Sequence, residues 1–382
     1  MKNIRLWATA TVASTLVLVP AVSASAHETG ATDLRDGAVL VQLNGGAGNS
    51  IEAFARDSAG GLTPVGTFAT GGLGGKQVGA PVDALASQGG LALADDGRDV
   101  VAVNAGSGTV ASLRLGRRGL TLASVVPSGG AFPSSVATRD STVFVLNAGG
   151  AGSVSGFRLR DDRLVPIPGS TRSLGLSNSA VPFFLTSPSQ VGITPDGRTL
   201  VVATKANNTL VTFPLHRDGS LGAAVVNASQ GPVPFSFVFD GRGRLEVTEA
   251  GDGRTASYSV APDSSLVPLG VSASSGGAAL CWNVRVGSTL YGANAGSATI
   301  TSWSVAPDGT TSVLSPVAAT TAHGPIDLAA SQRGRFVYAL SALAGEIDAF
   351  ATAPDGSLTP AGVTSGLPTI DATGGPEGIV AI

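Results

Sequence analysis

Short apolar runs recur along the chain, and each is punctuated in the same way. A first apolar strand leads into an Asp-Gly or Arg-Gly turn, and a second apolar strand ends on a small polar residue. A Gly-rich turn and a third strand follow. The clearest copies are VVAVNAGSGTVASL (100–113), VFVLNAGGAGSVSGF (143–157), LYGANAGSATITSW (290–303) and VLVQLNGGAGNSIEAF (39–54). LVVATKANNTLVTF (200–213), LEVTEAGDGRTASY (245–258) and VYALSALAGEIDAF (337–350) are weaker copies. Runs this short, bounded by Gly and Asp-Gly, predict strands and almost no helix.

The polar residue that closes the second strand is Asn44, Asn104, Asn147, Thr204, Glu249, Asn294 and Ser341, at successive spacings of 60, 43, 57, 45, 45 and 47 residues. Turns such as Arg217-Asp218-Gly219, Pro307-Asp308-Gly309 and Pro354-Asp355-Gly356 then lead to a fourth strand. Four strands in a unit of roughly 45 residues make one propeller blade. The expected fold is therefore all-β, a seven-bladed β-propeller of four-stranded blades over residues 38–382. The first unit lacks an inner strand, and Pro376 to Ile382 reads like the start of one. The C-terminal strand is expected to close the first blade, which removes the exposed edges of an open ring. The two long spacings place extra residues at about 71–87 and 173–187, both on the rim that carries the Asn-Ala-Gly turns. Long loops on one face of a rigid scaffold mark its binding side. The second contains Val181-Pro182-Phe183-Phe184-Leu185, which reads either as an apolar lid or as packing on a neighbouring blade.

Composition narrows the functional classes. With 53 Gly, 43% hydrophobic residues and a net charge of −3, the chain lacks the polarity and charge of a disordered protein. It has no Lys/Arg cluster, so nucleic acid is not an expected partner. Residues 1–26 read as a secretory signal: Lys2 and Arg5, an apolar run from Leu16 to Val19, then Ala24-Ser25-Ala26 before His27. No later apolar run is long enough to span a bilayer. A secreted monomer without stable membrane insertion is expected. The lone cysteine, Cys281, has no partner for an intramolecular disulfide and reads as a buried, inert thiol beside Trp282. No His or Cys spacing supports a metal, and no cofactor is expected.

Charged residues make up 13% of the chain, so those on the rim stand out. Glu249 replaces the usual Asn in the fifth unit, and Lys205 sits at the matching turn of the fourth. The pair is either a solvated ion pair or part of a polar site, with Gln190, Phe235 and Trp282 at the starts of nearby inner strands. His323, in Ala322-His323-Gly324-Pro325, is either a solvated turn residue or the one general base available on this rim. The catalytic candidates are thus Glu249, Lys205 and His323. Gln88, Asn104, Asn147, Gln190, Phe235, Trp282 and Asn294 are the ligand-binding candidates. Asn104, Asn147 and Asn294 also have a simpler role as turn caps.

Several segments, in this order, are carried by one known family. They include Phe144-Val145-Leu146-Asn147-Ala148-Gly149, Ser189-Gln190-Val191-Gly192, Thr194-Pro195-Asp196-Gly197-Arg198, Gly231-Pro232-Val233-Pro234-Phe235 and Ala279-Leu280-Cys281-Trp282. Over about 38–382 the chain resembles the seven-bladed propeller lactonases, which include 6-phosphogluconolactonase-like and 3-carboxymuconate cyclase-like proteins. It is closest in character to their secreted branch in high-GC Gram-positive bacteria. The resemblance implies lactone hydrolysis or lactonizing cycloisomerisation. The family's H-P-H strand start aligns with Pro188-Ser189-Gln190, its G-P-R-H with Gly231-Pro232-Val233-Pro234, and its N-E with Thr248-Glu249. The Glu is kept and the family His and Arg are not. Three functions follow: a secreted binding propeller for a small polar ligand, glycan or protein; a lactonase or cycloisomerase with a rearranged site; or a non-catalytic envelope protein.

Overall fold

Seven antiparallel sheets make up the chain in its computed structural model, which describes residues 33–94 and 96–382. The expected signal segment 1–26 lies outside the described residues. Inner strands neighbour one another in a closed ring in the order Glu377–Ala381, Leu91–Leu93, Pro133–Arg139, Pro188–Ile193, Pro234–Phe239, Leu280–Val286 and Pro325–Ala330. Each blade then steps outward through three more strands. Blade 3 carries one addition, Arg172–Ser173, which pairs with its third strand.

The unbroken apolar runs are the second strands. Asp99–Asn104, Thr199–Thr204, Thr289–Asn294 and Phe336–Ser341 are buried along their whole length. Each is flanked within its sheet on both edges and covered on both faces by adjacent blades, which is why apolar residues need not alternate there. Outer strands such as Leu358–Ser365 are mostly exposed or half-buried.

The ring closes as the sequence implies. Glu377–Ala381 pairs antiparallel with Ala38–Gln42, with Leu40 opposite Val380 and Val41 opposite Ile379. The Ile382 N–H donates to Ala38 O at 2.8 Å, and Arg56 donates to Ile382 O at 2.8 Å. Packing begins ahead of residue 38, because Leu34 is fully buried beside Leu40 and Val100. Among the described residues no helix is long and apolar enough to cross a membrane.

Candidate functional site

One position beyond the polar column of Asn44, Asn104, Asn147, Thr204, Glu249, Asn294 and Ser341 stand Gly45, Ala105, Ala148, Lys205, Ala250, Ala295 and Ala342. In blades 4, 5 and 6 this position lines a cavity of about 300 Å3 at the rim. Lys205 is the one large side chain in a column of Ala and Gly. Phe235 and Trp282 form a wall, edge to face with ring centroids 5.1 Å apart. Val233 and Ala279 add apolar surface from left-handed backbone, at φ 58° and 57°. For a β-branched Val this conformation costs about 1–3 kcal/mol. It is held by the Val233 N–H donating to Asn208 Oδ1 (2.8 Å) and the Ala250 N–H donating to Val233 O (2.9 Å).

Both long connections roof this cavity. The Val78 N–H donates to Pro182 O at 3.0 Å, the Phe184 N–H to Val78 O at 3.1 Å, and Ser187 Oγ to Gln77 Oε1 at 2.7 Å. Phe184 and Leu185 face the cavity. Of the two readings the sequence allowed, the apolar segment 181–185 takes the first: it covers the cavity, and it pairs with the other long connection through Val78.

Lys205 sets the electrostatics. Its Nζ donates to Ala86 O at 2.7 Å and lies 5.1 Å from the Phe235 ring centroid. Among the described residues it joins no ion pair. Burial pushes its ammonium down to about 8, against the opposing pull of Asp83 and Cys281. An ammonium has three N–H donors, and one is used. Burial also pushes the Cys281 thiol up to about 12, so it is a neutral thiol facing the cavity and a poor nucleophile.

The floor is a stopper in the channel formed by residues 83–89. Gln88 exchanges both its amide groups with the Asn283 backbone (3.0 and 2.9 Å), and Trp282 Nε1 donates to Ser87 O at 2.9 Å. Ser135 Oγ donates to Gln88 O at 2.7 Å. Asp83 accepts from the N–H groups of Leu85, Ala86 and Ser87 at 2.9, 2.6 and 3.0 Å. It also pairs with Glu377 on the closing strand. Burial and the neighbouring Asp83 charge hold the Glu377 carboxyl well above its ordinary range. Burial raises the Asp83 carboxyl as well, though less than that of Glu377, so the pair shares one proton, held mainly on Glu377. Asp327, also buried at the axis, is pushed up to about 8 by burial.

The expected Lys205–Glu249 site does not form. Glu249 is the last residue of its strand and Lys205 follows the last residue of its own, so the two are offset by one position. Successive strand residues point to opposite faces. Ala250, not Glu249, is the counterpart of Lys205, and it is Ala250 that lines the cavity. Glu249 turns outward to Ser229 Oγ, which donates to it, and to Tyr258. It fills the slot that Asn holds elsewhere. In each case a glycine of the incoming loop lies against that side chain: Gly72 on Asn104, Gly130 on Asn147, Gly231 on Glu249 and Gly277 on Asn294. A Cβ at Gly72 or Gly277 would sit 2.4 Å from the Asn Cγ.

The other candidates disperse. Asn104, Asn147 and Asn294 are fully buried and tied to neighbouring segments: Thr70 Oγ1 donates to Asn104, Asn147 Nδ2 donates to Ser128 O, and Asn294 Nδ2 donates to Thr301 Oγ1. Gln190 exchanges both its amide groups with the Phe237 backbone (2.9 and 2.7 Å), joining the inner strands of blades 4 and 5. Gln88 belongs to the stopper, and His323 is exposed and off the cavity. Of the candidates, Lys205, Phe235 and Trp282 come together. Asp83 and Cys281 join them without having been expected there. The available signal was the Ala column, read one residue beyond the Asn column.

No model of a known protein family matches the sequence, and no curated protein matches it. Solved structures do match in fold. A periplasmic gluconolactonase of Pseudomonas aeruginosa aligns at TM-score 0.69 and 20% identity, over 91% of this chain and 99% of its own. A protein of Lactobacillus plantarum aligns at 0.71 and 17%, over 91% and 99%. A candidate 6-phosphogluconolactonase of Bacteroides fragilis aligns at 0.69 and 18%, over 91% and 98%. The chain is a seven-bladed propeller that shares its fold with these structures, two of which are described as lactonases.

Proposed function

We propose that this lactonase-like propeller is a binding protein whose rim cavity takes a small, mainly apolar molecule bearing one anionic or carbonyl oxygen. The observation that carries the reading is Lys205, a buried ammonium with one protein acceptor, set in an apolar wall of Phe235, Trp282, Val233 and Leu185. A ligand oxygen would satisfy its remaining donors. A sugar or sugar lactone fits less well, because each buried hydroxyl without a partner costs about 1–3 kcal/mol.

Binding is favoured over lactone hydrolysis by the dispersal of the groups hydrolysis needs. An activated water requires a base beside the substrate, and Glu249 and His323 do not line the cavity. Export of the protein belongs to the same proposal, on the strength of residues 1–26.

Thermal denaturation with benzoate, phenylacetate, benzyl alcohol and gluconolactone tests the reading. Saturation at a hundredfold excess over Kd gives about 2.7 kcal/mol, or roughly 3–4 °C for a domain this size. Aromatic carboxylates are expected to raise Tm and gluconolactone is not. Lys205→Met is expected to lose the carboxylate shift while keeping that of benzyl alcohol. A shift with gluconolactone alone would refute the proposal.

A further inference from the structure

We infer that Lys205 captures aldehydes or ketones carried on an apolar frame, by forming an imine within the rim cavity. This rests on the reading of the cavity as a ligand site and names the chemistry of its ligand.

Three observations converge on it. Lys205 is the one amine on the cavity, in a column that is otherwise Ala or Gly, so its presence is not a packing requirement of the blade. Its Nζ is held between Ala86 O and the Phe235 ring with no carboxylate in ion-pair contact among the described residues. Such an environment favours the neutral amine: at about 8, roughly one molecule in ten is neutral at pH 7, against about one in a few thousand for an ordinary lysine. Finally, the space suits a ring with a short chain. An apolar cavity of about 150 Å3 takes benzene, and this one is about 300 Å3.

The chemistry balances without a further reactant. The amine nitrogen forms a bond to the carbonyl carbon, and one N–H proton passes to the carbonyl oxygen to give a carbinolamine. The C–O bond then breaks and the second amine proton leaves with the oxygen as water, yielding C=N. The water-poor walls of Phe235, Trp282 and Leu185 oppose the reverse hydrolysis.

Benzaldehyde with cyanoborohydride, applied to the full chain and followed by peptide mass mapping, tests this directly. Reduction fixes any imine as a benzyl-amine. Lys76, whose Nζ is at the surface, serves as the internal reference. Lys205 is expected to be labelled at least about tenfold faster than Lys76, given its larger neutral fraction, and excess benzyl alcohol is expected to suppress the label. Equal labelling of the two lysines, or none at Lys205, overturns the inference. The thermal shift with benzyl alcohol separates the two levels: a shift without labelling removes only the imine chemistry. Neither shift nor labelling removes the binding reading as well.

Discussion

Replacing Glu249 by Gln should stabilise the protein at alkaline pH and leave it unchanged in acid. Glu249 occupies the slot of a buried turn amide, and burial pushes its carboxyl up to about 8 from 4.5. One of its oxygens, Oε2, has no hydrogen-bond partner, while the other accepts from Ser229. A raised carboxyl favours folding fully below its unfolded value near 4.5, and that contribution is lost as pH rises through about 8. The difference between those two values corresponds to as much as about 4–5 kcal/mol at ~1.4 kcal/mol per decade of proton affinity. Gln has the same shape, accepts from Ser229 in the same way, and has no charge to bury.

Urea denaturation of wild type and Glu249→Gln at about pH 5 and about pH 8.5 reads the effect, since every other titrating group is common to both proteins. The variant is expected to match wild type at the lower pH. At the higher pH it should exceed it by roughly 2–4 kcal/mol, somewhat below the full linkage because a partly ionised state relaxes. A difference that does not change with pH would show that Glu249 is not a buried acid in an amide slot. A loss of stability in the variant at both pH values would refute the isosteric argument itself.

Two further outcomes test the scaffold. Deleting residues 376–382 removes the closing strand together with Ile379 and Ile382, both at least 95% buried. About four ladder bonds at ~1 kcal/mol and two Ile at ~1.5–3 kcal/mol each approach the whole stability of a typical domain, so the truncated chain should fail to melt cooperatively. A Tm unchanged from the full chain would disprove closure. Gly277→Ala should cost about 1–3 kcal/mol through overpacking against Asn294. Gly241→Ala, with open space around its Cβ, should be neutral in the same thermal melt.

The fold was legible because a propeller writes itself as period. The Asn column, the Asp-Gly turns and the missing first strand each state a blade boundary, and the tail Glu377–Ala381 had one vacant edge to fill beside Ala38–Gln42. The site was legible only in part. Phe235 and Trp282 were found from the inner-strand starts, and Lys205 from the scarcity of charge. Asp83 was hidden in a long connection with no repeat to index it, and only the path of residues 83–89 into the channel brings it to the axis. Glu249 misled because alignment by column carries no information about which face a residue takes one position later.

That one-residue offset also explains why this rim is a poor place to rebuild hydrolysis. Second strands end with a polar side chain turned outward, tied by Ser229, Thr70 or Ser275 to the incoming loop. The following side chain faces the cavity where it lies next to the axis. A catalytic acid or base would therefore have to come from the second column, which holds Ala or Gly in six blades and Lys205 in blade 4. The remaining charge at the axis, Asp83, is committed to three backbone N–H groups and to Glu377. What the architecture leaves open to a ligand is one amine among apolar walls. That arrangement suits recognition of an oxygen, or covalent capture of a carbonyl, better than activation of water.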